Sequence, residues 1–266
     1  MVREERLRAF SRARDSVITL QERERHGIGM QSEKTLHAVL KDMEEPDRTY
    51  HEVPISGCIA DIWREGTGAI EIQTAHLSLL NRKLPRLLKA GPVRVVHPIP
   101  HEKQIILVDP ETGHPVRRTR SPKKGTFYEA FRELFGIRPC LTAPGFTLDL
   151  LLIDVDEYRV PTGKTHRGRP SVERFDRIPT RLFDEMVLRE KKDYLQFVPE
   201  GLPEEFTSAD FAAAAGYRRK GFSDVLLLLT RLGVLERIGK RGRYYLYRVA
   251  DLSIPYSEKG ESDPCS

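Results

Sequence analysis

Only three cysteines occur in 266 residues, Cys58, Cys140 and Cys265, and they lie far apart. Odd in number and without paired ligand spacing, they exclude both a disulfide framework and a zinc-thiolate set, and they point to a reducing cytoplasm. Long apolar runs are also missing: none approaches the roughly 18 residues that a membrane span requires. The arginine-rich start, Met1 to Gln31, carries Glu4, Glu5, Asp15, Glu22 and Glu24 and no apolar signal core, so it reads as a solvated helix and argues against secretion. No internal repeat or long low-complexity tract is evident.

What is present suits a water-soluble chain with room for two domains: 39% hydrophobic and 31% charged residues, with a formal net charge of only +5. The distribution of charge says more than its total. Arg117, Arg118, Arg120, Lys123 and Lys124 fall within eight residues that contain no acid. Between Tyr217 and Arg243, eight cations, among them Arg218, Arg219, Lys220, Lys240, Arg241 and Arg243, face only Asp224 and Glu236. Such clusters imply a polyanionic partner, most directly nucleic acid, against the plainer reading of solvated charged faces. Ser121-Pro122-Lys123-Lys124 has the composition of turns that lie along a DNA minor groove.

Ser32 reads as an N-cap, with Leu36, Val39, Leu40 and Met43 at helical spacing behind it. Three strand-like runs follow, about Tyr50 to Ile55, Cys58 to Arg64 and Ala69 to Thr74, the last two joined by Gly66-Thr67-Gly68. Leu77 to Ala90 reads as one helix closed by Gly91-Pro92, and Val93 to Val96 as a buried strand. This α-β-β-β-α-β order describes a mixed sheet with helices packed against it. A separate strand is expected at Gln104 to Val108, a helix at Thr126 to Phe135 and a long strand at Phe146 to Val155. The polar, Pro- and Gly-bearing stretch from Arg159 to Pro179 is expected to hold the domain boundary.

The chemistry lies in the hairpin. Glu71 and Gln73 share one strand face while Ile70 and Ile72 take the other, and Asp61 joins the face of Glu71 if the turn at Glu65 to Gly68 sets the expected register. Two carboxylates about 4 Å apart repel by roughly 4 kcal/mol at an effective dielectric near 20, so such a pair needs a proton, a basic neighbour or a divalent cation. Hard oxygen donors, including a carbonyl such as that of Ile72, suit Mg²⁺ or Mn²⁺. The plain alternative pairs these acids with Arg64 or Arg82 at the surface. His37 and His76 are set aside as bystanders, and Asp149, Asp154 and Asp156 as margins of a buried strand.

A helix with an acid at its start, then Asp61, then Glu71-Ile72-Gln73 on the next strand, resembles the PD-(D/E)XK nuclease superfamily over roughly Gln31 to Pro98. The resemblance implies a catalytic set of Glu33, Asp61, Glu71 and Gln73 around a metal held by Asp61, Glu71 and Ile72, and phosphodiester hydrolysis as the reaction. Gln73 stands where that family usually has lysine. Glutamine orients water but supplies no cation, a role to which Lys34 or Lys83 would have to move.

Farther on, an alanine-rich helix (Phe206 to Gly216), a leucine-rich helix (Phe222 to Leu232) and a basic-tipped hairpin (Gly233 to Val249) resemble a winged helix, whose members commonly bind duplex DNA and in other cases bind proteins. The expected fold class is therefore α/β, a restriction-endonuclease-like mixed sheet flanked by helices plus a small C-terminal winged-helix domain. The expected divisions are 1–30 charged helix, 31–158 nuclease-like domain, 159–200 basic linker and connecting helix, 201–250 winged helix and 251–266 tail. The expected activity is that of a metal-dependent DNA endonuclease, with a catalytically inactive DNA-binding protein and a protein-interaction scaffold as alternatives. DNA is the expected partner, no membrane is involved, and self-association is left open.

Overall fold

In the computed structural model the described residues are 2–24, 35–166, 168–216 and 222–252. The chain divides into two units, Met1–Val187 and Leu188–Ser266.

The first unit opens with α1 (Val2–Glu24) and α2 (Thr35–Glu44), followed by the strands β1 (His51–Ile55), β2 (Cys58–Arg64) and β3 (Gly68–Ile72). A 3-10 turn (Leu77–Arg82) and α3 (Leu84–Ala90) lead into β4 (Val93–Val108), which folds back as β5 (Pro115–Arg120). A short helical passage containing α4 (Phe131–Leu134) precedes two long strands, β6 (Phe146–His166) and β7 (Arg169–Leu188). The strands form one mixed sheet in the order β1-β2-β3-β4-β6-β7, with β5 hydrogen-bonded to β4. β1, β2 and β3 run as an antiparallel meander, whereas β3 and β6 are each parallel to β4. The α-β-β-β-α-β order expected from the sequence is thus present, as a mixed α/β sheet flanked by helices.

One sheet face is covered by α1 and α2. Phe10, Ala13, Val17, Leu36, Val39, Leu40 and Met43 pack on Ile72, Val96, Leu151, Ile153 and Val155. Residues of the opposite parity, Val95, Leu148 and Leu150, are buried as well, as are Leu77, Leu84, Leu87, Leu134 and Ile137 from the helical segments. Strands buried on both faces read as near-continuous apolar runs, which explains Leu148 to Ile153. α1 is therefore only partly a solvated helix: Phe10, Ala13 and Val17 sit in the core and Arg6 reaches Glu44 and Glu185.

The structure differs from several sequence expectations. Leu77 to Ala90 is interrupted at Lys83, because Pro85 fits the first turn of a new helix and cannot continue an old one. Val93–Val96 and Gln104–Val108 belong to the one strand β4. Its pairing with β3 ends at Val96 and that with β5 begins at Gln104, and Pro98 and Pro100 sit in the interval where that edge needs no donor. Of the stretch expected to be a basic linker and connecting helix, 159–200, the part up to Leu188 belongs to the strands β6 and β7, and the boundary falls at Val187 rather than between Arg159 and Pro179. Its polar composition belongs to strands that leave the core, with Gly168 (φ 72°) in the turn.

The second unit has a 3-10 turn (Lys191–Phe197), β8 (Phe206–Thr207), α5 (Ser208–Ala214), α6 (Phe222–Arg231), β9 (Leu235–Arg241) and β10 (Tyr244–Val249). Its strands form an antiparallel sheet ordered β8-β10-β9. Thr207 and Asp210 cap α5 reciprocally. The leucines of α6 serve the core: Val225, Leu226, Leu228 and Leu229 are buried. Among the described residues no helix is long and apolar enough to cross a membrane.

The β2–β3 turn is fixed by a backbone contact. Gly68 has φ +92°, and a Cβ there would fall 2.0 Å from the carbonyl oxygen of Pro92, which itself accepts the Ala69 N–H at 2.9 Å. Gly68→Ala is expected to cost about 3 kcal/mol and to lower the melting temperature by roughly 6–12 °C. An unchanged thermal transition would show that the turn does not set this register.

Candidate functional site

β2 and β3 pair in the register Ile62↔Ile70, Trp63↔Ala69, Arg64↔Gly68. The next position brings Asp61 opposite Glu71, and there the backbone ladder stops. The N–H of Ile72, which a continued ladder would offer to a β2 carbonyl, donates instead to Asp61 Oδ2 at 2.7 Å. The Asp61 N–H points at Glu71 Oε1, 3.4 Å away. The two strands part around a pair of carboxylates, as the hairpin reading requires.

Two basic side chains arrive from the helical segments. Lys83, at the junction before α3, places Nζ 2.5 Å from Glu71 Oε2. His37, on α2, places Nε2 3.5 Å from Asp61 Oδ2. Glu71 is 1% exposed. Burial and the Asp61 charge push its carboxyl up to about 7, against the pull of Lys83 and the Asp61 N–H. Asp61 goes the other way: burial raises it, but the His37 contact, the Ile72 N–H and the Lys83 charge together hold it below the usual aspartate value. The pair is asymmetric, with one firmly ionised acid beside one poised near neutrality.

Gln73 follows directly. Its side-chain amide donates to the Ala75 carbonyl. Its backbone carbonyl meets His97 Nδ1 at 2.6 Å, and its N–H donates to Val96 O at 3.0 Å. Gln73 is thus held beside the acid pair, with its nitrogen already committed. Glu33, expected to complete the set, lies outside the described residues. Ile72 is buried, with its N–H on Asp61. Arg64 pairs with Glu45, not with Asp61 or Glu71. Among the described residues no group of three or more His, Cys, Asp or Glu side chains is gathered as for a metal ion.

The rival acids are engaged elsewhere. Asp149 and Glu44 share Arg94 and Arg6, a buried network that ties α1 and α2 to the sheet. Asp154 bonds His101 and Arg181, each at 2.7 Å, and Asp156 lies 3.5 Å from Arg118.

The first basic cluster forms the wholly exposed strand β5 and the loop after it. Glu102 accepts from Lys124 at 2.7 Å and Arg120 at 2.6 Å and is pulled down to about 2, chiefly by these hydrogen bonds. Those two cations are therefore partly neutralised, whereas among the described residues no ion pair to an acid engages Arg117 or Lys123. In the second unit Lys240 lies 5.1 Å from the Tyr245 ring centre, Arg237 4.7 Å from the same ring and Arg243 5.0 Å from that of Tyr244. Arg241 ends β9 beside them, while Arg218, Arg219 and Lys220 lie outside the described residues.

Sequence reasoning missed His37 because its approach depends on how α2 packs across the sheet. The only clue in the sequence is its place on the helix that opens the motif.

Lys83 compensates a buried acid, so Lys83→Met should lift Glu71 further above its ordinary value of 4.5. The ionised form is the destabilised one, so the cost should be present above pH ~7, about 3 kcal/mol at pH 8, and should fade toward pH 5 as Glu71 takes up a proton. Denaturant unfolding at both pH values measures this. An equal loss at each would mean that only packing was removed.

The comparisons bear on the extent of this unit. An uncharacterized protein of Treponema pallidum (strain Nichols) is 29% identical over 218 residues, covering 81% of this chain and 85% of that protein. No solved structure matches. A family model described as a domain of unknown function, DUF8091, matches residues 34–189, from the start of α2 to the end of β7. Those bounds enclose His37, Asp61, Glu71 and Lys83 and cover more than half of the chain, which therefore belongs to the DUF8091 family.

Proposed function

We propose that this chain is a divalent-metal-dependent DNA endonuclease, with a first unit of restriction-endonuclease-like fold in the PD-(D/E)XK manner and a second unit acting as a winged-helix module for duplex DNA. The observation that carries the reading is the opposition of Asp61 and Glu71 where β2 and β3 part, with Lys83 on Glu71. The arrangement supplies what the Glu-x-Gln motif lacks: a lysine at the acid pair, delivered from the helix junction rather than from the strand.

The donor chemistry fits Mg²⁺ or Mn²⁺. Two facing carboxylates, one pushed up to about 7 by burial and its neighbour, hold more negative charge than Lys83 neutralises. One or two carboxylates from the protein, with water and phosphate for the rest, is the usual provision for Mg²⁺. Asp61, Glu71 and the Ile72 carbonyl would hold the ion, and Glu33 would support it or its water. The bound metal would lower the pKa of a water and offset charge on the scissile phosphate.

The chain's own groups have separate tasks. Asp61 stays ionised and is fixed by the Ile72 N–H and His37. Glu71 must lose its proton to become a ligand. Lys83, released from Glu71, would meet the non-bridging oxygen that gains charge during in-line attack. Gln73 keeps its carbonyl oxygen to orient water while its nitrogen holds Ala75. Arg117, Arg118, Arg120, Lys123 and Lys124 in the first unit, and Arg218, Arg219, Lys220, Lys240, Arg241 and Arg243 in the second, would contact phosphates without reading sequence. A cytoplasmic location suits such a protein.

Purified protein with Mn²⁺ is expected to nick or linearise plasmid DNA. Glu71→Gln and Asp61→Asn should abolish cleavage, and Lys83→Ala should lower the rate about 10²-fold or more, whereas Gln73→Ala should cost less. Calorimetric Mn²⁺ binding should weaken as pH falls through about 7, with proton release on binding. Full cleavage by Glu71→Gln would end this account.

One observation favours a second reading, a DNA-binding protein without turnover: Lys83 already provides Glu71 with a counter-ion. Salt-sensitive DNA binding that persists in EDTA, together with intact plasmid, branched and linear DNA in Mn²⁺, would select it.

A further inference from the structure

Beyond the acid pair, β4, β5 and β6 continue as a sheet extension whose side chains are ordered by register. Directly opposed residues share a face, and the pairs Leu107↔Arg117 and Leu107↔Arg159 put Arg117 and Arg159 on either side of β4. Two residues along, Ile105 is flanked by Thr119 and Glu157, and two further on Lys103 lies beside Val155. Arg177 of β7 reaches the same place, with Nε 2.9 Å from Glu157 Oε2. Lys103, Arg159 and Arg177 therefore surround one carboxylate, whose side chain is only 3% exposed and which also accepts from Arg159 at 2.5 Å, while Arg117 stands on the same face across β4.

This arrangement is not a balanced salt-bridge network. Glu157 is saturated by two guanidinium groups, and among the described residues no carboxylate pairs with Lys103 or Arg117. The crowding has an electrostatic signature. Burial, and the nearby Arg177, Arg159 and Lys123 charges, depress the Lys103 ammonium despite Glu157. Arg177 is likewise depressed by burial, Arg174 and Arg159. Like charges held together in a partly desolvated position are relieved by an external anion. Rows of cations on neighbouring strands suit a ligand whose charges repeat along a line. Glu157 holds the guanidinium groups in place and is too buried to repel an anion itself.

We propose that this face of the extended sheet, with Lys103, Arg117, Arg159 and Arg177 at its centre, binds the sugar–phosphate backbone of duplex DNA. The proposal rests on the reading of the chain as a DNA-acting protein for the identity of the polyanion, but not on catalysis. It also assigns the grip to the first unit itself, through residues on four strands, of which Lys103, Arg159 and Arg177 lie outside the basic run that contains Arg117.

The test is fluorescence anisotropy of the full chain with a labelled 30-base-pair duplex in EDTA, over a salt series, so that binding is read without cleavage. Lys103→Gln and Arg117→Gln are each expected to weaken binding about fivefold near 0.15 M salt and to reduce the log–log salt slope by about one. The double change Lys103→Gln with Arg159→Gln should reduce the slope by about two, since Arg177 remains to hold Glu157. Lys103→Arg should restore both quantities, which a merely structural role would not predict. Unchanged affinity and slope in these variants, with thermal transitions matching the parent, would overturn the proposal, as would equal displacement by poly-glutamate of matched charge. No cleavage in Mn²⁺ with the variant slopes reduced would sink the nuclease reading and leave this surface standing. Cleavage with unaltered slopes would do the reverse.

Discussion

A β-strand must satisfy hydrogen-bonding groups along both edges, and β4, sixteen residues long, imposes that demand on nearly everything around it. β6 meets it along one edge from Val93 to Leu107, with one irregularity between Pro100 and Lys103. The other edge is divided between β3 and β5. Because β3 is parallel to β4, the chain must cross over between them, and the crossover is the segment that contains the Leu77–Arg82 turn and α3. Lys83 sits inside that crossover. The parallel pairing of β3 with β4 thus brings a lysine from the sequence after Glu71 back to Glu71 itself.

The electrostatics of the acid pair follow from the same geometry. Glu71 is buried because its strand lies between β2 and β4, so its ionisation depends on what the helices deliver. Asp61 lies nearer the meander edge and gains the Ile72 N–H, a histidine and the Lys83 charge, which outweigh its burial, whereas for Glu71 burial and the repulsion of Asp61 outweigh Lys83 and the Asp61 N–H. Even equal carboxylates so close would lose their protons in two steps, and here the surroundings decide which acid loses its proton first. These are separated by environment, the condition under which neighbouring acids take different chemical roles.

Much of this was legible in the sequence, for local reasons. Gly66-Thr67-Gly68 marks a hairpin, and one register of that hairpin puts Asp61 on the face of Glu71; the structure supplies that register. Helix α2 and the order of the meander are local in the same sense. Lys83 was visible only as a candidate, since the break before Pro85 that positions it was hidden in an apparently continuous helix. The arm of β6 and β7 was misread as a linker, because strands that leave the core lose the apolar alternation by which strands are recognised. His37 near Asp61 and Lys103 beside Glu157 arise from packing and parallel pairing between distant segments, and no periodicity records them.

The contact between Asp61 and the Ile72 N–H makes the site a missing rung in the β2–β3 ladder. A carboxylate occupies the place of a main-chain carbonyl, so the opening between the strands is held apart by the same group that gives it charge. A chain that exchanged Asp61 for a small apolar residue would be free to zip β2 onto β3 and heal into ordinary sheet. That change would leave the fold better bonded than before, so under the proposed nuclease reading a relative without turnover is one with a closed ladder rather than a damaged core.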